Sequence, residues 1–292
     1  MNTILYRLSQ KMQKKSQDNA LVTFFDNIDI FYDQMYHGYQ NNLLVTDVYR
    51  PKEYAGKIPV ICVIHGGGLY MGDSRLDSFL CQVLALKGYL VYALDYRLTT
   101  QASAIEEMSD ICAGFKYIEK TLDQYDGDNN RVYLIGESAG AYLGLFTVAM
   151  HNCDELRDRL GCITSNLKIK KMALFSGMFY TYGFNLIGLI YPKQIYPGYY
   201  RNKEFKQWMN PENDHVVNNI PPVLLTSSKG DIIKKFTLRF DKALSEKNID
   251  HKLFFFDNKE LPHAFPAADP RYEESLQVIN YIAYEFFEKR NI

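Results

Sequence analysis

The stretch with the clearest chemical content is residues 131–151, where the apolar run Val132-Tyr133-Leu134-Ile135 leads straight into Gly136-Glu137-Ser138-Ala139-Gly140 and then into residues that suit a helix. A serine at such a strand-to-helix turn is held in a strained backbone conformation with its hydroxyl projecting beyond the sheet edge. Glycines two positions to either side leave room for the strand and helix to close on it. The helix start beneath Ser138 also presents free N–H groups and a positive dipole end, which favour negative charge nearby. The chemistry this suits is nucleophilic attack, and the stretch reads as a nucleophile elbow.

A second stretch, His65-Gly66-Gly67-Gly68, ends the continuous apolar run of residues 58–64. Consecutive glycines after a buried strand let backbone N–H groups approach a reacting atom with no Cβ in the way. By composition, a chance G-x-S-x-G is expected in roughly one chain in twenty of this length, and a chance His-Gly-Gly-Gly in about one in a thousand. The glycine turn is therefore the stronger of the two signals.

A serine hydroxyl is a poor nucleophile until a base takes its proton, and the usual base is a histidine oriented by a buried carboxylate. Open α/β sheets place such groups beyond the C-terminal ends of their strands. Asp231, after the run at 223–226, and His263, after the run at 251–256, meet that condition. His65 belongs to the glycine turn, while His37, His151, His215 and His251 fall in loops, a helix end and a strand start. Asp241 lies within a helical pattern and Asp257 stands close before His263, so Asp231 is the preferred acid.

The elements that must carry these residues alternate along the chain. Residues 3–16 have Ile4, Leu8 and Met12 on one helical face. Ile28, Ile30 and Tyr32 alternate with polar residues, His37-Gly38 and Asn41-Asn42 supply turn chemistry, and residues 43–50 pair back as a second strand closed by Pro51. Residues 58–64 and 88–94 are buried strands, 103–122 a helix, 131–137 the elbow strand, 168–175 the next strand, 236–246 a helix and 251–256 the last strand. Asp269 caps, with Pro270 at the first position, a final helix striped by Leu276, Ile279, Ala283 and Phe286. Strands alternating with helices predict a mostly parallel sheet with helices on both faces. Residues 177–215 break the alternation and are rich in tyrosine, including Tyr180, Tyr182 and Tyr191. A long insertion of this kind reads as a lid or binding loop, or else as a packed aromatic cluster.

Taken together, His65-Gly66-Gly67-Gly68 with Gly72 beyond it, Asp95-Tyr96-Arg97-Leu98, Gly136-Glu137-Ser138-Ala139-Gly140, Asp231 and His263-Ala264-Phe265 resemble the α/β-hydrolase superfamily. Within it they are similar to the esterases related to hormone-sensitive lipase. The resemblance covers residues 43–290 and implies a single α/β-hydrolase domain over 1–292. It also implies a small cap from about 1–20 and 177–215. It further implies Ser138 as nucleophile, His263 as general base and then acid, Asp231 as the residue that orients it, and an oxyanion hole from the N–H groups of Gly67, Gly68 and Ala139. Tyr70, Tyr180, Tyr182 and Tyr191 become candidates to line a substrate pocket. The chain departs from the family where Ala-Pro-Glu usually follows the Asp-Tyr-Arg-Leu segment and here Thr99-Thr100-Gln101 stands. It departs again at Asp231-Ile232-Ile233, where Asp-Pro-Leu is usual, and at Glu137, where aspartate is commoner.

The expected activity is hydrolysis of short-chain, acetyl-type esters through an acyl-enzyme, with no metal or organic cofactor. An amide or peptide hydrolase of the same superfamily and a non-catalytic binding module on the same fold are the alternatives. The composition, 47% hydrophobic and 23% charged, is that of an ordinary globular enzyme. A net charge of -1 from 33 basic and 34 acidic residues carries no nucleic-acid footprint. No apolar stretch approaches the ~18 residues of a membrane span, and the first residues lack the apolar core of a secretory signal. Five cysteines without C-x-x-C spacing read as small buried apolar side chains, which suits a reducing, cytoplasmic setting. The partner is a small-molecule ester, with neither nucleic acid nor membrane, and the oligomeric state is left open.

Overall fold

The computed structural model describes residues 26–39, 42–161, 165–183, 188 and 191–288. Two apolar patterns organise it. The runs at Ile58–Ile64 (β3) and Leu90–Leu94 (β4) are buried at every position and form central strands. Ile28–Tyr39 (β1) and Asn42–Pro51 (β2) pair antiparallel at one edge. Gly127–Glu137 (β5), Ile169–Phe175 (β6), Val223–Ser228 (β7) and His251–Phe256 (β8) complete an eight-stranded sheet in the order β1-β2-β4-β3-β5-β6-β7-β8. From β4 onwards that order is parallel throughout, as the alternation of strands and helices predicts.

The helices divide between the two faces. Ala104–Thr121 (α2) and Ala139–Asn152 (α3) cover one face, with Phe115, Phe146 and Tyr142 in its core. Ser78–Leu86 (α1), Phe265–Ala268 and Glu273–Tyr281 cover the other, with Leu84, Phe265 and Ile279. The entry to α2 is set by a capping box in which the Ser103 hydroxyl accepts the Glu106 N–H and Glu106 accepts the Ser103 N–H, an arrangement worth about 1 kcal/mol. α3 has no polar face: every residue from Ala139 to Met150 is buried, because this helix runs under the elbow between the sheet and its neighbours.

The register of β3 against β5 matters most for function. Ile64 pairs with Gly136, which brings the glycine turn beside the serine turn. Phe175 pairs with Glu137, and β7 and β8 end side by side at Ser228 and Phe256. The loops after β3, β5, β6, β7 and β8 therefore leave one edge of the sheet together.

Several expectations are corrected. His37-Gly38 lies inside β1 rather than in a turn, and the strand accommodates it with register shifts between Phe31 and Gln34 and between Met35 and His37. Asp269 does not cap the last helix. It accepts the Arg271 N–H and pairs with its guanidinium, forming a local turn that delays the helix to Glu273. The buried stripe of the last helix is then Val278, Ile279, Ile282 and Ala283, with Leu276 exposed. Cys112 is disulfide-bonded, while Cys62, Cys81 and Cys153 are free, so the reading of all five cysteines as reduced does not hold for Cys112. The helix expected over 3–16, and with it the cap segment at 1–20, lies outside the described residues.

Among the described residues, the insertion at 177–215 carries the short helices Pro192–Ile195 and Lys203–Trp208 and runs into Asp214–Val217. Among the described residues no helix is long and apolar enough to cross a membrane.

Candidate active site

Ser138 occupies φ 51, ψ -110, outside the regions most side chains favour. Such a conformation costs on the order of 1–3 kcal/mol and persists only where the surroundings over-determine it. Here the Ser138 N–H donates to the Phe175 carbonyl at 2.9 Å, and its own carbonyl accepts from Met178 at 2.9 Å. Both flanking glycines are sterically required. A Cβ on Gly136 would lie 2.7 Å from the Gly140 carbonyl oxygen, and one on Gly140 would lie 2.0 Å from the Ile64 oxygen.

His263 and Asp231 arrive from the neighbouring strand ends. His263 Nε2 stands 2.8 Å from Ser138 Oγ, and His263 Nδ1 stands 2.7 Å from Asp231 Oδ1. Asp231 is itself gripped: the Ser227 hydroxyl donates to its Oδ2 at 2.7 Å and the Ile233 N–H to its Oδ1 at 2.9 Å. Burial pushes the Asp231 carboxyl up, but the hydrogen bond and charge of His263, aided by Ser227 and Ile233, together hold it below its ordinary range. An ionised carboxylate on Nδ1 fixes the imidazole with its proton on that nitrogen and leaves Nε2 free to take one from Ser138. Behind His263, Ala264 sits at φ 54 and donates its N–H to the buried Ser176 hydroxyl at 3.0 Å, which fixes where the ring leaves the chain.

The glycine turn closes the opposite side. Gly67 and Gly68 have φ values of +94° and +64°, which glycine adopts without strain. The Gly66 N–H is already taken by Glu137 Oε1 at 2.5 Å, so the donors left to face a reacting oxygen are those further along the turn. The Tyr96 hydroxyl lies 2.9 Å from the His65 carbonyl and 3.0 Å from that of Gly66, and its ring stacks on His65 at 4.3 Å. Burial drives the His65 imidazole down to about 4, so it stays neutral and serves the turn through its Nδ1 contact with the Gly66 carbonyl at 2.9 Å. Arg97, next in the same segment, is fastened to Asp110 of α2 by two 2.8 Å bonds.

The four tyrosine candidates separate. A Cβ on Gly68 would lie 2.9 Å from the Tyr191 hydroxyl, so this side chain of the insertion reaches over the glycine turn. Tyr70 meets the Tyr191 ring edge-on at 5.3 Å and donates to Gln194. Tyr182 stacks at 5.2 Å on Tyr196, whose hydroxyl bonds to that of Tyr142 on α3. Tyr180 is placed differently: it is buried beneath the Arg239 guanidinium at 4.0 Å, with its hydroxyl on Glu212, and it packs the insertion against the helix Lys234–Glu246. Within 177–215, Tyr191 thus lies over the glycine turn, while Tyr180 and Tyr182 pack as parts of an aromatic cluster. Among the described residues no group of His, Cys, Asp or Glu could hold a metal ion.

Sequence reasoning missed Glu137, Tyr96, Ser176 and Ser227 as parts of this arrangement. Glu137 and Tyr96 sit inside quoted motifs and were legible by position, though not by partner. Ser176 carries no sequence signal, because its φ of 48° is set by the fold around it.

Residues 46–235 match the BD-FAE family profile. A probable isoprenylcysteine alpha-carbonyl methylesterase of Arabidopsis thaliana is 25% identical over 73% of this chain and 47% of its own length. A versiconal hemiacetal acetate esterase of Dothistroma septosporum is 33% identical over 34% of this chain and 30% of its own. The chain spans half or less of the length of these curated relatives. Among solved structures, esterase B of Lactobacillus rhamnosis superposes with a TM-score of 0.86 at 19% identity, covering 97% of this chain and 94% of its own. A bacterial heroin esterase gives 0.75 at 17%, covering 97% and 91%. The fold is that of the α/β-hydrolase esterases.

Proposed function

The chain belongs to the BD-FAE family, and on that footing we propose that it is a serine carboxylic ester hydrolase that works through an acyl-enzyme on short-chain, acetyl-type esters. The observation that carries this reading is the unbroken hydrogen-bonded line from Asp231 through His263 to Ser138, ending beside the glycine turn. Ser138 Oγ attacks the ester carbonyl carbon as its proton passes to His263 Nε2. The carbonyl oxygen becomes an oxyanion facing the N–H groups of Gly67, Gly68 and Ala139. His263 returns the proton to the departing alcohol, and the C–O bond breaks. Water then attacks the acyl-enzyme with His263 again as base, releasing the acid and restoring Ser138. Loss of one oxyanion donor typically costs about 100- to 1,000-fold in rate.

The preference for short acyl groups rests on the tyrosines at the turn. Tyr70 and Tyr191 present apolar rings with polar tips, which suits a partly wet pocket and an acetyl group on a polyhydroxylated alcohol such as a sugar. The names of the relatives point to both ends of an ester, one to a small alcohol and one to a small acid, so the test must vary both. A panel of acetylated sugars, methyl esters, nitrophenyl esters of increasing acyl length and aryl amides, run with wild type and Ser138→Ala, does so. Turnover fastest on acetyl esters and absent in Ser138→Ala is expected. Fastest turnover on acyl chains of ten or more carbons would remove the short-acyl reading, and faster amide than ester cleavage would favour the amidase. A folded protein that never takes a fluorophosphonate label at Ser138 would make it a binding module.

A further inference from the structure

One buried group beside Ser138 has no part in the steps above. Glu137 is the residue before the nucleophile, it is 7% exposed, and its Oε1 accepts the Gly66 N–H at 2.5 Å. The fit is close enough that a Cβ on Gly66 would fall 2.1 Å from that oxygen. The bond joins the elbow strand to the first glycine of the turn, the two segments whose relative position sets the distance from Ser138 Oγ to the oxyanion donors.

A second carboxyl lies within reach of its charge. Asp77 occupies the N-cap position of α1, yet its side chain caps nothing and its Oδ2 is buried without a hydrogen-bond partner. Burial pushes Glu137 well above the ordinary carboxyl range, with Asp77 raising it further and the Gly66 N–H opposing. Burial alone pushes Asp77 up to about 7. Tyr96, His65 and Cys81 border this cluster, with the carboxyls of Glu107 and Asp95 acting on Tyr96, Asp47 on Cys81 and Asp73 on His65: burial holds the phenol and the thiol neutral well above their usual values and the imidazole neutral below its own. Among the described residues no cation acts on either carboxyl.

We propose that Glu137 is a positioning residue for the reaction, its buried carboxyl holding the glycine turn against the elbow through the Gly66 N–H. The need for neutrality follows from where it sits. A carboxylate directly behind the turn would oppose the negative charge that develops on the substrate oxygen in front of it, and because Glu137 is itself buried that opposition is weakly screened. A neutral carboxyl gives the same hydrogen bond without the charge. As pH rises and the pair ionises, the rate of the acylation step falls while substrate binding is little changed, because the oxyanion exists only in the transition state.

The inference rests on the esterase reading, and the test separates the two. Wild type, Glu137→Gln, Glu137→Ala and Asp77→Asn are compared on one acetyl ester from pH 6 to 10, with active sites counted by fluorophosphonate labelling. Expected are a fall in kcat of about 10- to 100-fold per labelled site in Glu137→Ala at nearly unchanged KM, and recovery of most of that loss in Glu137→Gln. The alkaline decline of kcat should disappear in Glu137→Gln and move to lower pH in Asp77→Asn, where Glu137 no longer faces a second carboxyl. If Glu137→Ala does not fold, the Glu137→Gln and Asp77→Asn profiles decide alone. A wild type that labels and turns over, but whose alkaline limb is the same in all three variants, overturns the proposal and leaves the esterase standing. A wild type that neither labels nor turns over removes both.

Discussion

Two carboxyls flank Ser138, and the fold drives them in opposite directions. Asp231 and Glu137 are both shielded from solvent, each at a parallel strand end, and each accepts a backbone N–H. Asp231 is held below its ordinary range and Glu137 well above it. Burial opposes the charged form of both and does so more fully at Glu137, and the partners of each group widen the difference. Asp231 also has a histidine and a serine hydroxyl as donors, whereas Glu137 has a second carboxyl in place of a cation. One carboxylate is kept charged to serve an imidazole that must become positive, and one carboxylic acid is kept neutral behind an oxygen that must become negative.

The largest effect should come from breaking the charged side. Asp231→Asn keeps the shape but removes the charge and allows the wrong imidazole tautomer, so kcat should fall by about 10,000-fold with the protein still folded, as measured by kcat and by the rate of fluorophosphonate labelling. Next comes the neutral side. Gly66→Ala drives a methyl group into the Glu137 carboxyl and should lower kcat by roughly 100-fold. The same change in a Glu137→Ala background should add less than about threefold, because the clashing atom is gone. Independent, multiplicative losses in that double-mutant cycle would sever the link between turn and elbow.

The smallest effect, and the one that compares the two groups directly, is on stability. A carboxyl with a raised pKa contributes most to stability below its ordinary value near 4, and the contribution is lost as pH climbs; for Asp77 the window runs from about 4 to about 7, and for Glu137 it extends higher. The depressed Asp231 does the reverse: its contribution is present above about 4 and is lost as pH falls through its lowered value. Tm should therefore slip by a few degrees between pH 5 and 9 in wild type and by less in Glu137→Gln, read by thermal scans across pH.

Legibility in the sequence followed the range of the interactions involved. The elbow, the glycine turn and the central strands were readable because each depends on residues within a few positions of one another: apolar runs for buried strands, and glycine where a Cβ has no room. His37-Gly38 and Asp269-Pro270 misled because a bulged strand and an aspartate turn use the same residue types as a loop and a helix cap, and packing chose between them. Tyr180 and Tyr191 looked alike in a tyrosine-rich insertion, and Arg239 and Glu212 separated them.

By itself the sequence determined that a serine would stand at a strand-to-helix turn, that a histidine and an aspartate would follow later strands, and that three glycines would end another. Their meeting was decided by the tertiary structure, through the pairing of Ile64 with Gly136 and the side-by-side ends of β7 and β8. The charge on each carboxyl was decided there too. A protonation state depends on which donors and charges surround a group in space, and the imidazole on Asp231 comes from 32 positions away and the Gly66 N–H on Glu137 from 71.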